Sequence, residues 1–277
     1  MKPNGLDVND IGRMADKIRM HVIEMTSEAG SGHPGGSLSS AELFATLYFR
    51  VLKHNPEDPE WPERDRFVLS KGHVAPALYA ALAESGYFPV DELLTLRKMG
   101  SRLQGHPVRG KLPGVEMSTG SLGQGLSMSC GLALAAKLDK TDNRIYCLVG
   151  DGELQSGQNW EAMMLASHYN LNNLTIFVDR NRLQIMGGTE ETLSIDPLAD
   201  KLKAFGLRTI TIDGHNVKQI IKACKKVSAS KTPVAVIMNT VKGKGVSFME
   251  NNKDFHGRSC SPDEKEKALK EIAERLA

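Results

Sequence analysis

At 277 residues the chain is long enough to bury a sizeable core, and its 40% hydrophobic and 25% charged content is ordinary globular usage, which excludes disorder and fibrous repeats. Lys plus Arg number 35 against 33 Asp plus Glu, a net charge of +2, so no basic face for nucleic acid or an anionic membrane is expected. The four cysteines lack C-x-x-C spacing and read as reduced thiols in the cytoplasm, and neither an apolar leader nor a run of about 18 apolar residues suggests export or a membrane span.

Residues 1–277 are expected to form one α/β domain. Asp10 is placed to cap a first helix in which Ile11, Met14, Ala15, Ile18, Val22 and Met25 recur at helical spacing, ending near Gly30. A Gly-rich loop, Gly30 to Gly36, leads to a second helix beginning at Ser39 or Ser40, with Leu43, Phe44, Leu47 and Val51 on one face. Phe67-Val68-Leu69 reads as a strand, helices follow at 74–85 and 91–99, and small residues from Leu122 to Leu138 predict a helix buried on most sides. The second half alternates: strand 144–149, helix 157–169, strand 174–179, helix 197–205, strand 208–212, helix 216–227, strand 233–241, then a polar helix from Ser261-Pro262 to Ala277. Continuous apolar strands alternating with helices predict a parallel sheet with helices on both faces.

Ligands of such sheets bind beyond the carboxyl ends of the strands. Here one strand runs into Gly150-Asp151-Gly152 and the next into Asp179-Arg180-Asn181, and a right-handed crossover makes the two strand ends neighbours. A carboxylate from Asp151, an amide oxygen from Asn181 and a main-chain carbonyl at Leu183 form a hard-oxygen set suited to Mg²⁺ completed by phosphate and water. Asp151 beside a phosphate charge at about 4 Å would cost roughly 4 kcal/mol at an effective dielectric near 20, so a bridging cation is needed. Gly150 and Gly152 allow close backbone approach, and the helix starting near Gly157 is expected to aim N–H groups at the phosphates. Gly120-Ser121-Leu122-Gly123-Gln124-Gly125 has the wrong order, and no preceding strand, for a dinucleotide loop.

Four of the eight histidines, His33, His73, His106 and His256, sit in Gly- or Pro-rich turns, which suggests one shared site. They could bind phosphate, donate hydrogen bonds to substrate hydroxyls, or move protons. Without H-x-x-x-H spacing they do not read as zinc ligands. His21, His54, His168 and His215 read as structural.

With these pieces assembled, the chain resembles the thiamine diphosphate enzymes, specifically the N-terminal diphosphate-binding domain of transketolases. The resemblance covers nearly the whole chain, and rests on Gly30 to Gly36 (GSGHPGG), Ser70 to His73 (SKGH), Ser118 to Gly125 (STGSLGQG), Gly150 to Glu161 (GDGELQSGQNWE) and Lys242 to Gly245 (KGKG). It implies Asp151, Asn181 and the Leu183 carbonyl as Mg²⁺ ligands, and Gly152, His73 and His256 toward the diphosphate. Gly120 and Leu122 are implied at the cofactor's rings, with His33, His106 and His256 toward the sugar, assisting proton transfers as its C2–C3 bond breaks. The implied activity is transfer of a two-carbon ketol unit from a ketose phosphate to an aldose phosphate in the pentose phosphate pathway.

Two departures from the family pattern stand out. Ser156 occupies the place of a glutamate in an acid network that links paired active sites, while Glu161, the network's second acid, matches; proton communication between sites is expected to be weakened or rerouted. Transketolases normally continue into pyrimidine-binding and C-terminal parts, so by the resemblance the glutamate that activates the aminopyrimidine is expected on another chain. The resemblance therefore implies an inactive single chain and a separate C-terminal partner subunit in an α2β2 assembly. Two other readings are a related thiamine diphosphate enzyme, either 1-deoxyxylulose-5-phosphate synthase-like or specialised for an unusual sugar, and a non-catalytic regulatory subunit. Glu153-Leu154-Gln155 through Trp160-Glu161 is closer to transketolase than to the synthase, and the intact Asp151, Asn181 and histidine set argues against a purely regulatory role.

Overall fold

The computed structural model describes residues 5–276; Met1 to Asn4 and the expected last helical residue, Ala277, lie outside the described residues. Helix α1 (Val8–Glu28) buries Ile11, Ala15, Ile18, Val22 and Met25 on one stripe. Its cap is Asp7, not Asp10: the Asp7 carboxylate accepts from the N–H groups of Asn9 and Asp10 at 2.8 and 2.9 Å, which puts Asp10 inside the first turn. The segment expected to be a loop winds at its end into a short helix, α2 (Pro34–Leu38). Proline at its first position pre-sets the helical φ, and Gly35 fits because any Cβ there would stand 2.9 Å from the Phe255 carbonyl oxygen.

The second expected helix divides into α3 (Ala41–Thr46) and a wider π-type turn, Leu47–Val51. Strand β1 (Arg66–Leu69) and helix α4 (Ala75–Glu84) match their expectations. The helix expected over 91–99 is only a 3₁₀ turn, Val90–Thr95: Arg97 is left-handed at φ 60°, and its N–H goes to the Leu103 carbonyl instead of back along a helix. Helix α5 (Gln124–Leu138) starts after the left-handed Gly123 and buries one face only, with Leu138 73% exposed, so it is not enclosed on most sides.

The alternation then holds through β2 (Ile145–Gly150), α6 (Gly157–His168) and β3 (Leu174–Arg180). A short helix with no sequence expectation, α7 (Thr189–Leu193), precedes α8 (Leu198–Ala204), β4 (Arg208–Asp213), α9 (Val217–Ser228), β5 (Val234–Asn239) and α10 (Pro262–Leu276). The sheet order is β1-β2-β3-β5-β4 and every pairing is parallel, as expected.

The period of two along the strands sorts their side chains into two apolar layers. Ile145, Cys147, Val149, Ile176, Val178, Ala235 and Ile237 pack with α5, α6 and α8 on one face. Tyr146, Leu148, Phe177, Val236 and Met238 pack with α1, α3, α4, α9 and α10 on the other. Because the chain leaving β3 passes to α8 on the first face while the chain leaving β5 passes to α10 on the second, the connections diverge between these neighbouring strands. That divergence opens a crevice at the carboxyl ends of the central strands.

Candidate functional site

The crevice is a cleft of about 420 Å³, and nine of the ten residues singled out from sequence line it: His33, His73, Gly120, Leu122, Asp151, Gly152, Asn181, Leu183 and His256. His106 stands just outside it, its ring centroid 6.2 Å from that of His33, and a Cβ on Gly120 would come within 3.3 Å of the His106 ring. The His33 ring lies 5.2 Å from His73 and 5.6 Å from His256, and His73 stacks on His256 at 5.2 Å. Four loops far apart in sequence thus deliver four imidazoles to one place.

All four are held in the neutral form. Burial, helped by the charges of Arg97, His106 and Lys242, lowers His33 to about 4; burial, then Lys242 and His33, lowers His256 to about 3. Burial also lowers His73 well below the usual range, with Lys71 the next cause, and His106 is lowered by burial and Arg97.

Opposite the imidazoles, Asp151 at the end of β2 is buried, its Oδ1 accepting from the Gly152 N–H at 2.8 Å and its Oδ2 from the Arg182 N–H at 2.5 Å. Arg180 gives it only a long contact of 3.4 Å, being engaged with Glu190 and Asp196 at 2.7 and 3.0 Å. Burial, and then the nearby charge of Asp179, push the Asp151 carboxyl above the usual range. Asn181 donates its amide N–H to Asp179 at 3.0 Å, an arrangement that leaves Oδ1 as the acceptor, 3.1 Å from the Leu183 nitrogen. Asp151, Asn181 and Leu183 thus line the same cleft, with Asn181 Oδ1 accepting from the Leu183 N–H. The helix α6 does not: Gly157 is outside the lining, and the turn entering the cleft is the 3₁₀ segment Gly152–Gln155.

Sequence reasoning missed the groups that brace these. Asp179 is fully buried and accepts from Lys71, Thr240 Oγ1, Asn181 and Ser39, the last at 2.7 Å; its carboxyl is held down at about 2, the Lys71 charge overcoming burial. Glu153 takes the Ser70 hydroxyl at 2.5 Å and the N–H groups of Gly123 and Gly150 at 2.9 and 3.0 Å, fastening three loops together. Lys242 is buried and among the described residues forms no ion pair with a carboxylate: its ammonium donates to the Leu183 carbonyl at 3.2 Å and meets His256 Nδ1 at 3.0 Å. Burial, and then Lys71, lower it to about 8. The available signal was weak, since Lys71 and Lys242 are merely lysines beside glycines until the strands are ordered.

The donor set fits a metal-bound diphosphate. Asp151 is a buried carboxylate met only at 3.4 Å by Arg180, and the Lys242 ammonium contacts neutral acceptors, so one cleft offers oxygen ligands for a cation and a cation for a phosphate. His33 Nδ1 and Gln184 Oε1 are buried and without a hydrogen-bond partner there. Among the described residues no group of three His, Cys, Asp or Glu side chains is arranged to hold a metal, so a cation at Asp151 would draw on neutral oxygens and on its ligand's phosphates.

Residues 11–273 match the family described as transketolase, thiamine diphosphate binding domain. The chain belongs to this family. It is 45% identical to a 6-deoxy-6-sulfo-D-fructose transketolase subunit of Clostridium sp. (strain MSTE9), over 95% of this chain and 96% of that one. It is 42% identical to one of the subunits of an apulose-4-phosphate transketolase from Actinobacillus succinogenes, over 98% and 99%. Transketolase of Campylobacter jejuni superposes with a TM-score of 0.92 at 32% identity, covering 97% of this chain and 43% of that longer one. Thiamine diphosphate, the cofactor expected from sequence, is thus the family's cofactor. In this transketolase-family chain Ser156 stands at the start of α6, its Oγ 2.8 Å from where a Gly123 Cβ would lie, and Glu161 is exposed on the same helix. Among the described residues no helix is long and apolar enough to cross a membrane.

Proposed function

We propose that this chain is the N-terminal, diphosphate-binding subunit of a split transketolase, acting with a separate pyrimidine-binding subunit in a heterotetramer to move a two-carbon ketol unit between sugar phosphates. The observation that carries the reading is that Asp151, Asn181, Leu183, three neutral imidazoles and the Lys242 ammonium line one cleft, with His106 beside it. Two relatives named as transketolase subunits match over nearly their whole length, which supports a partner chain. Leu122, Ile185 and Met186, 41%, 67% and 77% exposed at the cleft, suit a site completed by another surface. Because the two apolar layers share one sheet, residues 1–277 are taken as one domain.

In this reading Asp151, Asn181 and the Leu183 carbonyl hold Mg²⁺. Gly152, His73, His256 and Lys242 hold the diphosphate, and Gly120 and Leu122 meet the rings. When bound, thiamine diphosphate supplies the carbon acid that stabilises the charge left by C2–C3 cleavage. The protein's part is orientation and proton handling: Lys242 would hold the diphosphate by its ammonium, and Asp151 would hold it through a cation. His33, with Nδ1 free of partners, and His106 are neutral at pH 7, the state in which an imidazole accepts a proton from a substrate hydroxyl. The names of the two relatives, which specify a sulfosugar and apulose phosphate, favour a specialised sugar as the second reading within the same chemistry.

Asp151→Ala tests the metal site. Equilibrium dialysis of thiamine diphosphate with Mg²⁺ should lose its metal dependence while the circular dichroism spectrum stays unchanged; normal retention would contradict the ligand assignment.

A further inference from the structure

A chain of buried polar groups reaches the cofactor-side loop from the opposite layer of the sheet. Arg19 of α1 donates to both carboxylate oxygens of Glu42 on α3, at 2.6 and 2.7 Å, and to Asp16 at 2.9 Å. Glu42 Oε2 lies 3.1 Å from His215 Nδ1, in the turn between β4 and α9. The Val241 N–H then donates to His215 Nε2 at 2.8 Å. A backbone N–H can only donate, so Nε2 carries no proton; the proton sits on Nδ1 and is given to Glu42. Both ring nitrogens are committed, and the tautomer is fixed by its partners.

Val241 immediately precedes Lys242, on the segment after β5. Its neighbours are tied to the cleft: Thr240 Oγ1 donates to Asp179, Lys242 Nζ to the Leu183 carbonyl, and the Gly243 N–H to the Gly35 carbonyl at 2.9 Å. His215 ties this stretch to Glu42 of α3 and, through it, to Arg19 of α1. Glu42 is also buried, and its charge is balanced by Arg19, which donates to the Leu38 carbonyl as well.

We propose that His215 is a positioning residue: its accepting Nε2, held in that tautomer by Glu42 and Arg19, fixes the Val241 N–H and so sets where the Lys242 ammonium stands in the cleft. The inference rests on the reading of Lys242 as a diphosphate contact. A misplaced ammonium would weaken diphosphate binding by about tenfold, the scale of part of one charge-assisted hydrogen bond.

The test is calorimetric titration of thiamine diphosphate with Mg²⁺ into the chain as it assembles in its cells. His215→Asn keeps a polar group toward Glu42 and loses the acceptor for Val241; His215→Gln reaches that acceptor position. The first should weaken binding by about tenfold, the second should restore most of it, and His215→Asn should add nothing in a Lys242→Met background. Equal losses in both backgrounds, or wild-type affinity in His215→Asn beside a weakened Lys242→Met, would overturn the positioning role while leaving the Lys242 contact intact. Unchanged affinity in Lys242→Met alone would overturn both. Histidine nitrogen NMR of the unmodified chain gives a check independent of any variant: the account requires the proton of His215 on Nδ1, and a proton on Nε2 contradicts it.

Discussion

Lys242 and the imidazoles around it carry the molecule's pH dependence. Lys242 is held at about 8 against 10.5 for a free lysine, so the unfolded chain binds a proton that the folded chain does not between those values. Stability of the cofactor-free chain should therefore rise from pH 8 toward 10.5. A diphosphate favours the charged ammonium, so cofactor affinity should fall over the same range, with proton uptake on binding in calorimetry near pH 8.5. At the acid end His33 and His256 stay neutral to about 4 and 3 while the unfolded chain titrates near 6.5. Stability should fall as pH drops from 6.5 through 4, which thermal melts at stepped pH will follow; a flat profile there contradicts the neutral cluster. Asp151, Asn181 and the four histidines were legible in the sequence because each stands at a strand end or in a glycine-rich turn. Asp179, Lys71 and His215 were not, since their partners Thr240, Asp179 and Glu42 are brought to them only by the strand order.

Helix α5 shows how an element's sequence encodes its distance from the sheet. A Cβ on Gly125 would stand 2.5 Å from the Ser70 Cα, at the end of β1, whereas on Gly131, on the exposed side of the same helix, it would meet nothing within 4 Å. Gly125→Ala should destabilise by about 1–3 kcal/mol through forced displacement of the helix, and Gly131→Ala should stabilise by about 0.5–1 kcal/mol through helix propensity, both measured by urea unfolding. The strands and most helices were readable because apolar runs bounded by turn residues leave few alternatives for a doubly covered sheet. The failures are local overrides. Pro34-Gly35-Gly36 reads as loop, yet it winds into a helix in which Gly35 packs closely on the Phe255 carbonyl, and the helical pattern after Val90 is cut by the left-handed Arg97, whose N–H the Leu103 carbonyl takes.

At the scale of the whole molecule, the α5–α6 face carries the departure from the family pattern at Ser156. If its hydroxyl replaces one acid of a network joining paired sites, a Ser156→Glu variant in the assembled enzyme should show greatly faster cofactor activation with basal turnover retained, and unchanged activation kinetics would contradict the link. This chain is proposed as the cofactor-phosphate half of a two-chain transketolase. Native mass spectrometry of the tagged chain, drawn from its own cells with Mg²⁺ and thiamine diphosphate present, addresses this directly. The expected species is a complex of two copies of this chain with two copies of a second protein and two bound cofactors; a homo-oligomer without cofactor would overturn the two-chain assignment.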